Sequence, residues 1–364
     1  MKALSNKGKH LNHLAIALSL TYLLAAVSFK FPLLFTTDIL RFIYDRYDVS
    51  LCMNVWLLVS SMVVVLAIVK SKQTPHLWIN GLILLMGVGV CQLQNSPLKL
   101  GSGMITIGLD WLIIDFVITA AIFTPLEILF PKEQPISVFQ ADWKLNLTYF
   151  MIFDLNIKFI LFAIKFPANY FFSGLTWDWL HDKINVLPFP VALLVALIIA
   201  DLAQYLRHFL AHKIPFLWRF HAVHHSSQTM NWLAGSRSHL IDLLLDRSFI
   251  FIPIYVLGFN ESVLVAYTTI VALQSVWAHA NSHIDLGWLK YVIVTPQYHH
   301  WHHAKDVAAH DKNFAVHFPF IDMIFGTYHS LKHGWPNETG IQEADFPKSN
   351  YLKQFLYPFK RHTS

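Results

Sequence analysis

The segment Pro190-Val-Ala-Leu-Leu-Val-Ala-Leu-Ile-Ile-Ala200-Asp-Leu-Ala-Gln-Tyr205-Leu-Arg-His208-Phe-Leu-Ala-His212 decides how the chain is read. Its first half closes the apolar stretch 184–200, which reads as a helix crossing a membrane, a task needing about 20 mostly apolar residues. Its second half keeps helical phase and turns polar. His208 and His212 stand at i, i+4, and Asp201 and Tyr205 continue the stripe at i−7 and i−3 from His208. One such pair is by itself a weak signal, more often ordinary packing or surface than a metal site, and gains weight only with the clusters that follow.

Three more clusters share that phase. His221-Ala-Val-His224-His225 has the spacing i, i+3, i+4, His279-Ala-Asn-Ser-His283 has i, i+4, and His299-His-Trp-His302-His303 repeats i, i+3, i+4. Helix residues three or four apart have Cβ atoms about 5–6 Å apart, so two or three imidazoles so placed reach one ion. A catalytic zinc needs only three protein ligands, so ten imidazoles in phase are too many for one ion and suit two. Neutral nitrogen donors without thiolate fit iron, copper or zinc. Packed at this density, imidazoles repel when protonated, and a cation keeps them neutral and coordinated.

Composition supports a bilayer setting. Of 364 residues, 55% are hydrophobic and only 13% charged, against about 25% charged in soluble domains. The net charge of +5 could suggest nucleic acid. No basic stripe supports that partner, and Lys and Arg at membrane edges explain the excess. The two cysteines, Cys52 and Cys91, lack metal-type spacing and leave one bridge as the only pairing the chain could make.

Apolar stretches at 14–35, 53–69, 73–98, 105–130, 145–172 and 184–200 read as six spans, of which 145–172, interrupted by Asp154 and Lys158, is the weakest and reads as a tilted or interfacial helix. The pair 248–259 and 262–278, separated by Gly258-Phe-Asn-Glu261, reads as a helical hairpin. Residues 14–35, preceded by Lys2, Lys7 and Lys9, form a retained anchor rather than a cleaved leader, because the apolar run continues past Ala26-Val-Ser28. Basic flanks place the N-terminus in the cytoplasm, and counting spans brings every histidine cluster to that same face. The fold class is therefore all-α: a polytopic integral membrane protein carrying a histidine-rich dinuclear metal site on its cytoplasmic face. Three regions follow: a transmembrane region 1–134, a catalytic region 135–335, and a basic cytoplasmic tail 336–364.

The four clusters, with Phe220-His-Ala-Val-His-His-Ser226, Trp232-Leu-Ala-Gly-Ser-Arg-Ser-His239, Thr295-Pro-Gln-Tyr-His-His-Trp-His-His-Ala304 and Asp311-Lys-Asn-Phe-Ala-Val-His317 followed by Phe325-Gly-Thr-Tyr328, resemble the fatty acid hydroxylase/sterol desaturase superfamily over roughly residues 110–335. The resemblance implies a membrane-embedded fold whose cytoplasmic helical cap carries the metal site, and a lipid hydroxylase or desaturase with two iron ions, O₂ as co-substrate and two electrons from an external donor of reductase, cytochrome or ferredoxin type. Carried over box by box, it implies His208, His212, His221, His224, His225, His279, His283, His299, His302 and His303 as metal ligands, with zinc substituting in recombinant protein. Hydroxylation is favoured over desaturation. Asp201 and His239 are candidates for outer partners of the ligand rings, since metal-bound histidine donates its second N–H to such a group. His300, out of phase, is expected at the surface or on the substrate side, and His310, His317 and His329 stand outside the boxes. A histidine-rich membrane metal transporter is the alternative, but its ligands belong near the bilayer midplane. A membrane haem protein would place paired axial histidines inside facing spans.

Overall fold

The computed structural model describes residues 2–37, 40, 49–70, 75–92, 107–132, 142–175, 177–343 and 345–360. They fall into two compact units, Met1–Val117 with Asp154–Phe159, and Ile118–Phe153 with Ile160–Ser364. The expected division near Pro135 lies outside the described residues. Among the described residues there are helices and two isolated bridges, Pro131 with Ser282 and Ala304 with Thr339, and no strands. The protein is all-α and multi-pass.

In the first unit, α1 (Lys2–Lys30) packs on α3 (Ser50–Lys70) and α4 (Pro75–Gln92), after the short α2 (Pro32–Phe35). Ala15, Tyr22, Val64, Ala67 and Leu84 fill the contact. Tyr22 lies against the backbone of Gly87, where a Cβ would meet the ring at 2.8 Å. Cys52 and Cys91 are both free and exposed, so the bridge left open by the sequence is not formed.

The second unit takes up the end of α5 (Leu109–Leu129) and continues with α6 (Trp143–Leu155), α7 (Ile157–Phe172), α8 (Asp178–Asn185) and α9 (Phe189–Lys213). Stretch 145–172 is thus two helices meeting at Asn156, not one span. Among the described residues, four helices are long and apolar enough to cross a membrane: Ser50–Val69, Leu109–Leu129, Phe189–Lys213 and Glu261–His279. The apolar parts of α1 and α4, Leu14–Lys30 and Trp78–Cys91, are shorter.

After α10 (Pro215–His225), α11 (Leu240–Leu257) and α12 (Glu261–His279) make the expected hairpin. Gly258 ends α11 at φ 67°, a left-handed position that glycine takes without a Cβ penalty. The Asn260 side chain caps α12 by accepting from Val263 N. Ala192, Ala196 and Ala200 form a small-residue stripe on α9 that meets Ile250, Ile254, Val263, Tyr267 and Val271. Small residues at helical spacing let backbones approach closely, the usual basis of helix association in lipid. Two short helices follow, α13 (Pro296–His302) and α14 (Pro319–Phe325), and α15 (Tyr351–Leu356) closes the chain. The segment expected as a basic tail is largely packed: Phe346 and Tyr357 are buried against Leu145, Tyr149, Ala222 and Val223.

Candidate metal centre

Four helices bring the imidazoles together: the last turn of α9, all of α10, the end of α12, and α13. The short helices have strong local starts. Pro215 and Pro296 occupy first positions, where a missing N–H costs nothing, and the Thr295 side chain accepts from Tyr298 N.

Nine imidazoles form two groups, His208, His212, His221, His225 and His302 in one, and His224, His279, His299 and His303 in the other. Within each group the ligand atoms all lie within 4.8 Å of one another. Nε2 of His221 lies 3.0 Å from Nε2 of His208 and 3.2 Å from that of His225. In the second group, Nε2 of His279 lies 3.3 Å from that of His224 and 3.0 Å from that of His299, which is 3.1 Å from that of His303. The groups adjoin, with His225 stacked on His303 at a ring separation of 4.3 Å.

The outer nitrogens explain why Nε2 faces inward. Nδ1–H donates to Phe314 O in His208 (2.8 Å), to Arg237 O in His224 (2.9 Å), to Ser275 O in His279 (2.7 Å) and to Lys312 O in His302 (2.8 Å). In His221 it donates to the Asp242 carboxylate at 3.0 Å, and Nδ1 of His212 lies 3.6 Å from Asp311. With Nδ1 carrying the proton, Nε2 presents a lone pair. Burial holds the rings of His221, His225, His299, His302 and His303 well below the usual histidine range, neighbouring imidazoles adding to it, and takes His224 down to about 4.

These residues fit a pair of metal ions. Lone pairs facing each other at 3.0–3.3 Å repel unless a cation lies between them. Two bonds of about 2.1 Å meeting near a right angle put their nitrogens about 3.0 Å apart. Nε2 of His212 and of His302 are buried without a hydrogen-bond partner, the signature of donors awaiting an ion.

The tenth box histidine stands apart. His283 is exposed and belongs to neither group. The reason is local: α12 ends at His279, Ala280 is extended (ψ 143°), and the i, i+4 register on which His283 depended does not exist. Asp201 touches no ligand ring among its hydrogen bonds. Its carboxylate accepts from the backbone N–H of Val316, His317 and Phe318 at 2.8–3.0 Å, fixing the loop whose Phe314 and Lys312 carbonyls orient His208 and His302. His239 accepts from Ile241 N, capping α11, and donates to Phe355 O; it fastens the C-terminal segment rather than a ligand. His300 faces away from both groups, as its phase requires, but is buried rather than at the surface.

Sequence reasoning passed over Asp242. It is buried and joined to both His221 and the Arg207 guanidinium. Its place in α11, 21 residues from His221, gives no local signal. Glu127 was passed over too. It accepts from Trp232 N at 2.7 Å and Asn281 N at 2.8 Å, tying the end of α5 to the turns beside His224 and His279.

Residues 193–327 match the family model described as fatty acid hydroxylase. The chain is similar to ornithine lipid hydroxylase OlsE of Rhizobium tropici, 32% identical over 174 residues that are 48% of this chain and 52% of that protein. It is similar to the alkylglycerol monooxygenase of Homo sapiens, 29% identical over 160 residues, 44% of this chain and 33% of that one. Methylsterol monooxygenase 1 of Rattus norvegicus is 27% identical over 206 residues, 55% and 67% of the two chains. The matched part thus spans about half of the first relative and a third of the alkylglycerol monooxygenase. No solved structure matches the chain significantly.

Proposed function

With residues 193–327 placing the chain in the fatty acid hydroxylase family, we propose that it is a membrane oxygenase that hydroxylates a lipid at a dinuclear iron centre, using O₂ and two electrons. The observation that carries this reading is the convergence of nine imidazoles, seven buried and two part-buried, in two adjoining groups. Hydroxylation is preferred to desaturation because the similar proteins named above are a hydroxylase and monooxygenases.

One ion would be held by His208, His212, His221, His225 and His302, the other by His224, His279, His299 and His303. Bound iron would supply the redox chemistry that activates O₂ against a C–H bond. The protein's part is to fix and dry the site. The carbonyls of Phe314, Arg237, Ser275 and Lys312 hold the ring orientations, an outer contribution that commonly sets metal affinity. Phe314 and Trp218 pack on His212 at 5.1 and 5.0 Å between ring centres and exclude water from that side. Asp322 accepts from Phe314 N, Ala315 N and the Thr327 hydroxyl, and the Tyr298 hydroxyl donates to it. That knot keeps the loop between α13 and α14 in place beneath His208.

Full-length protein from iron-replete cells is expected to contain about two iron ions per chain and, in lipid vesicles with an external reductase system, to insert one atom of labelled O₂ into lipid. Zinc-loaded protein is expected to be folded and inactive, because zinc has no accessible redox change. One ion or none in active protein, or oxidation by the isolated chain with NAD(P)H alone, would overturn the dinuclear, externally reduced reading.

The histidine-bearing face is assigned to the cytoplasm on the strength of the basic flanks. In a chain whose Cys52 and Cys91 are replaced by serine, Val307→Cys is expected to react with a membrane-impermeant maleimide only after cells are opened. Val307 is 74% exposed, so access is not limited by burial. Labelling in intact cells would reverse the orientation.

A further inference from the structure

Beside the metal groups lies a polar cavity of about 310 Å³, whose walls include Lys132, Gln228, Asn281, His300, Lys305 and Glu338. That volume is at the lower end for small-molecule sites. Two features make it more than a surface dent. The first is its level. Lys132 comes three residues after the membrane-length helix Leu109–Leu129, and Asn281 comes two after Glu261–His279. Lys132 N donates to Asn281 O at 3.3 Å, and Pro131 bridges Ser282, so the two helix exits are clamped together at the cavity. The cavity therefore sits where spans leave the apolar layer, at the depth of lipid headgroups.

The second feature is His300. The ring is 0% exposed, Nε2–H donates to His279 O at 3.3 Å, and Nδ1 has no hydrogen-bond partner. In that tautomer Nδ1 is an acceptor that asks for a donor. Buried polar atoms are normally satisfied, and those left without a partner call for one. Around it stand two ammonium groups, Lys132, which also lies 5.2 Å over the Trp335 ring, and Lys305, paired with Glu338 at 2.9 Å. Glu338 is 70% exposed at its side chain, so an incoming anion can displace it from Lys305. Two lysines take an anion, and Nδ1 of His300, once the ring turns toward the cavity, accepts from an adjacent hydroxyl.

We propose that this cavity binds the phosphate headgroup of a membrane lipid, one whose phosphate neighbours a free hydroxyl, as in a phosphoglycerol headgroup. Basic pockets between membrane helices recognise anionic headgroups in this way. The choice of a lipid over a soluble phosphate ester rests on the lipid-oxygenase reading, and the test separates the two because it measures binding and not turnover.

Radiolabelled glycerol phosphate is titrated into the metal-loaded full-length chain in neutral detergent. Binding is expected, tighter than that of inorganic phosphate, and displaced by phosphatidylglycerol. The pair Lys132→Ala and Lys305→Ala is expected to weaken it about tenfold or more, as loss of charge-assisted hydrogen bonds does, with metal content unchanged. His300→Phe keeps the ring's bulk and is expected to erase the preference over inorganic phosphate. No binding, or equal binding by the double variant, would overturn the site. A probe that phosphatidylglycerol cannot displace would overturn the lipid assignment, leaving a soluble phosphate ester as the occupant.

Discussion

Replacing His299 with alanine is expected to abolish lipid oxidation and to remove metal from the four-imidazole group, while His283→Ala leaves both near wild type. His299 Nε2 lies 3.0 and 3.1 Å from the same atoms of His279 and His303, and no other imidazole stands close enough to replace it in a group of four. A lost ligand in an already small set costs more than an outer partner, whose removal typically costs about 10–100-fold. Activity should therefore fall below detection. His283 belongs to neither group and is exposed, so its loss costs only a surface contact. Iron analysis and product formation on both variants check the pair of outcomes. If His283→Ala lost metal as fully as His299→Ala, the two-group assignment would be wrong and the sequence expectation of ten ligands would return.

The second large effect is expected at Asp242. Its carboxylate takes the Nδ1 proton of His221 at 3.0 Å and meets the Arg207 guanidinium, all three side chains being buried. Asp242→Ala leaves the Arg207 charge with Asp246 at 3.7 Å as its nearest carboxylate. Removing one partner of a buried pair costs about 3–5 kcal/mol, so a marked drop in thermal stability in detergent is expected. His221 also loses the group that fixes its tautomer, and metal affinity should fall about 10–100-fold. Asp242→Asn keeps an acceptor for His221 and removes the charge, so it should retain metal better than it retains stability. Equal stability of Asp242→Ala and wild type would sink this account of the residue.

The errors of the sequence reading share a cause. His283 was drawn in by assuming that α12 continues one more turn, yet nothing between His279 and His283 marks a stop. The backbone turns at Ala280 because His283 N donates to Phe130 O and Asn281 N to Glu127, partners some 150 residues away. Asp201 was legible as a carboxylate in phase with the ligands. Its real office, accepting three backbone N–H groups from 316–318, depends on a loop that follows it by 115 residues. His239 was expected as a ligand or an outer partner of one, but its partners are Ile241 and Phe355.

Legible in the sequence were most of the helices, four of the membrane-length apolar stretches, the turn at Gly258 and the nine imidazoles that come together, because each rests on local periodicity and local caps. Which imidazoles fall in one group was decided only by tertiary structure. Each three-histidine box is divided: His221 and His225 join one group and His224 the other, while His299 and His303 join the second and His302 the first. Residues at i, i+3 and i+4 lie on one side of a helix and are equivalent in phase. What separates them is the helix opposite: the end of α9 draws His221 and His225, and the end of α12 draws His299 and His303. Spacing along one helix can nominate ligands, but only the packing of α9, α10, α12 and α13 against one another assigns each ring to its group.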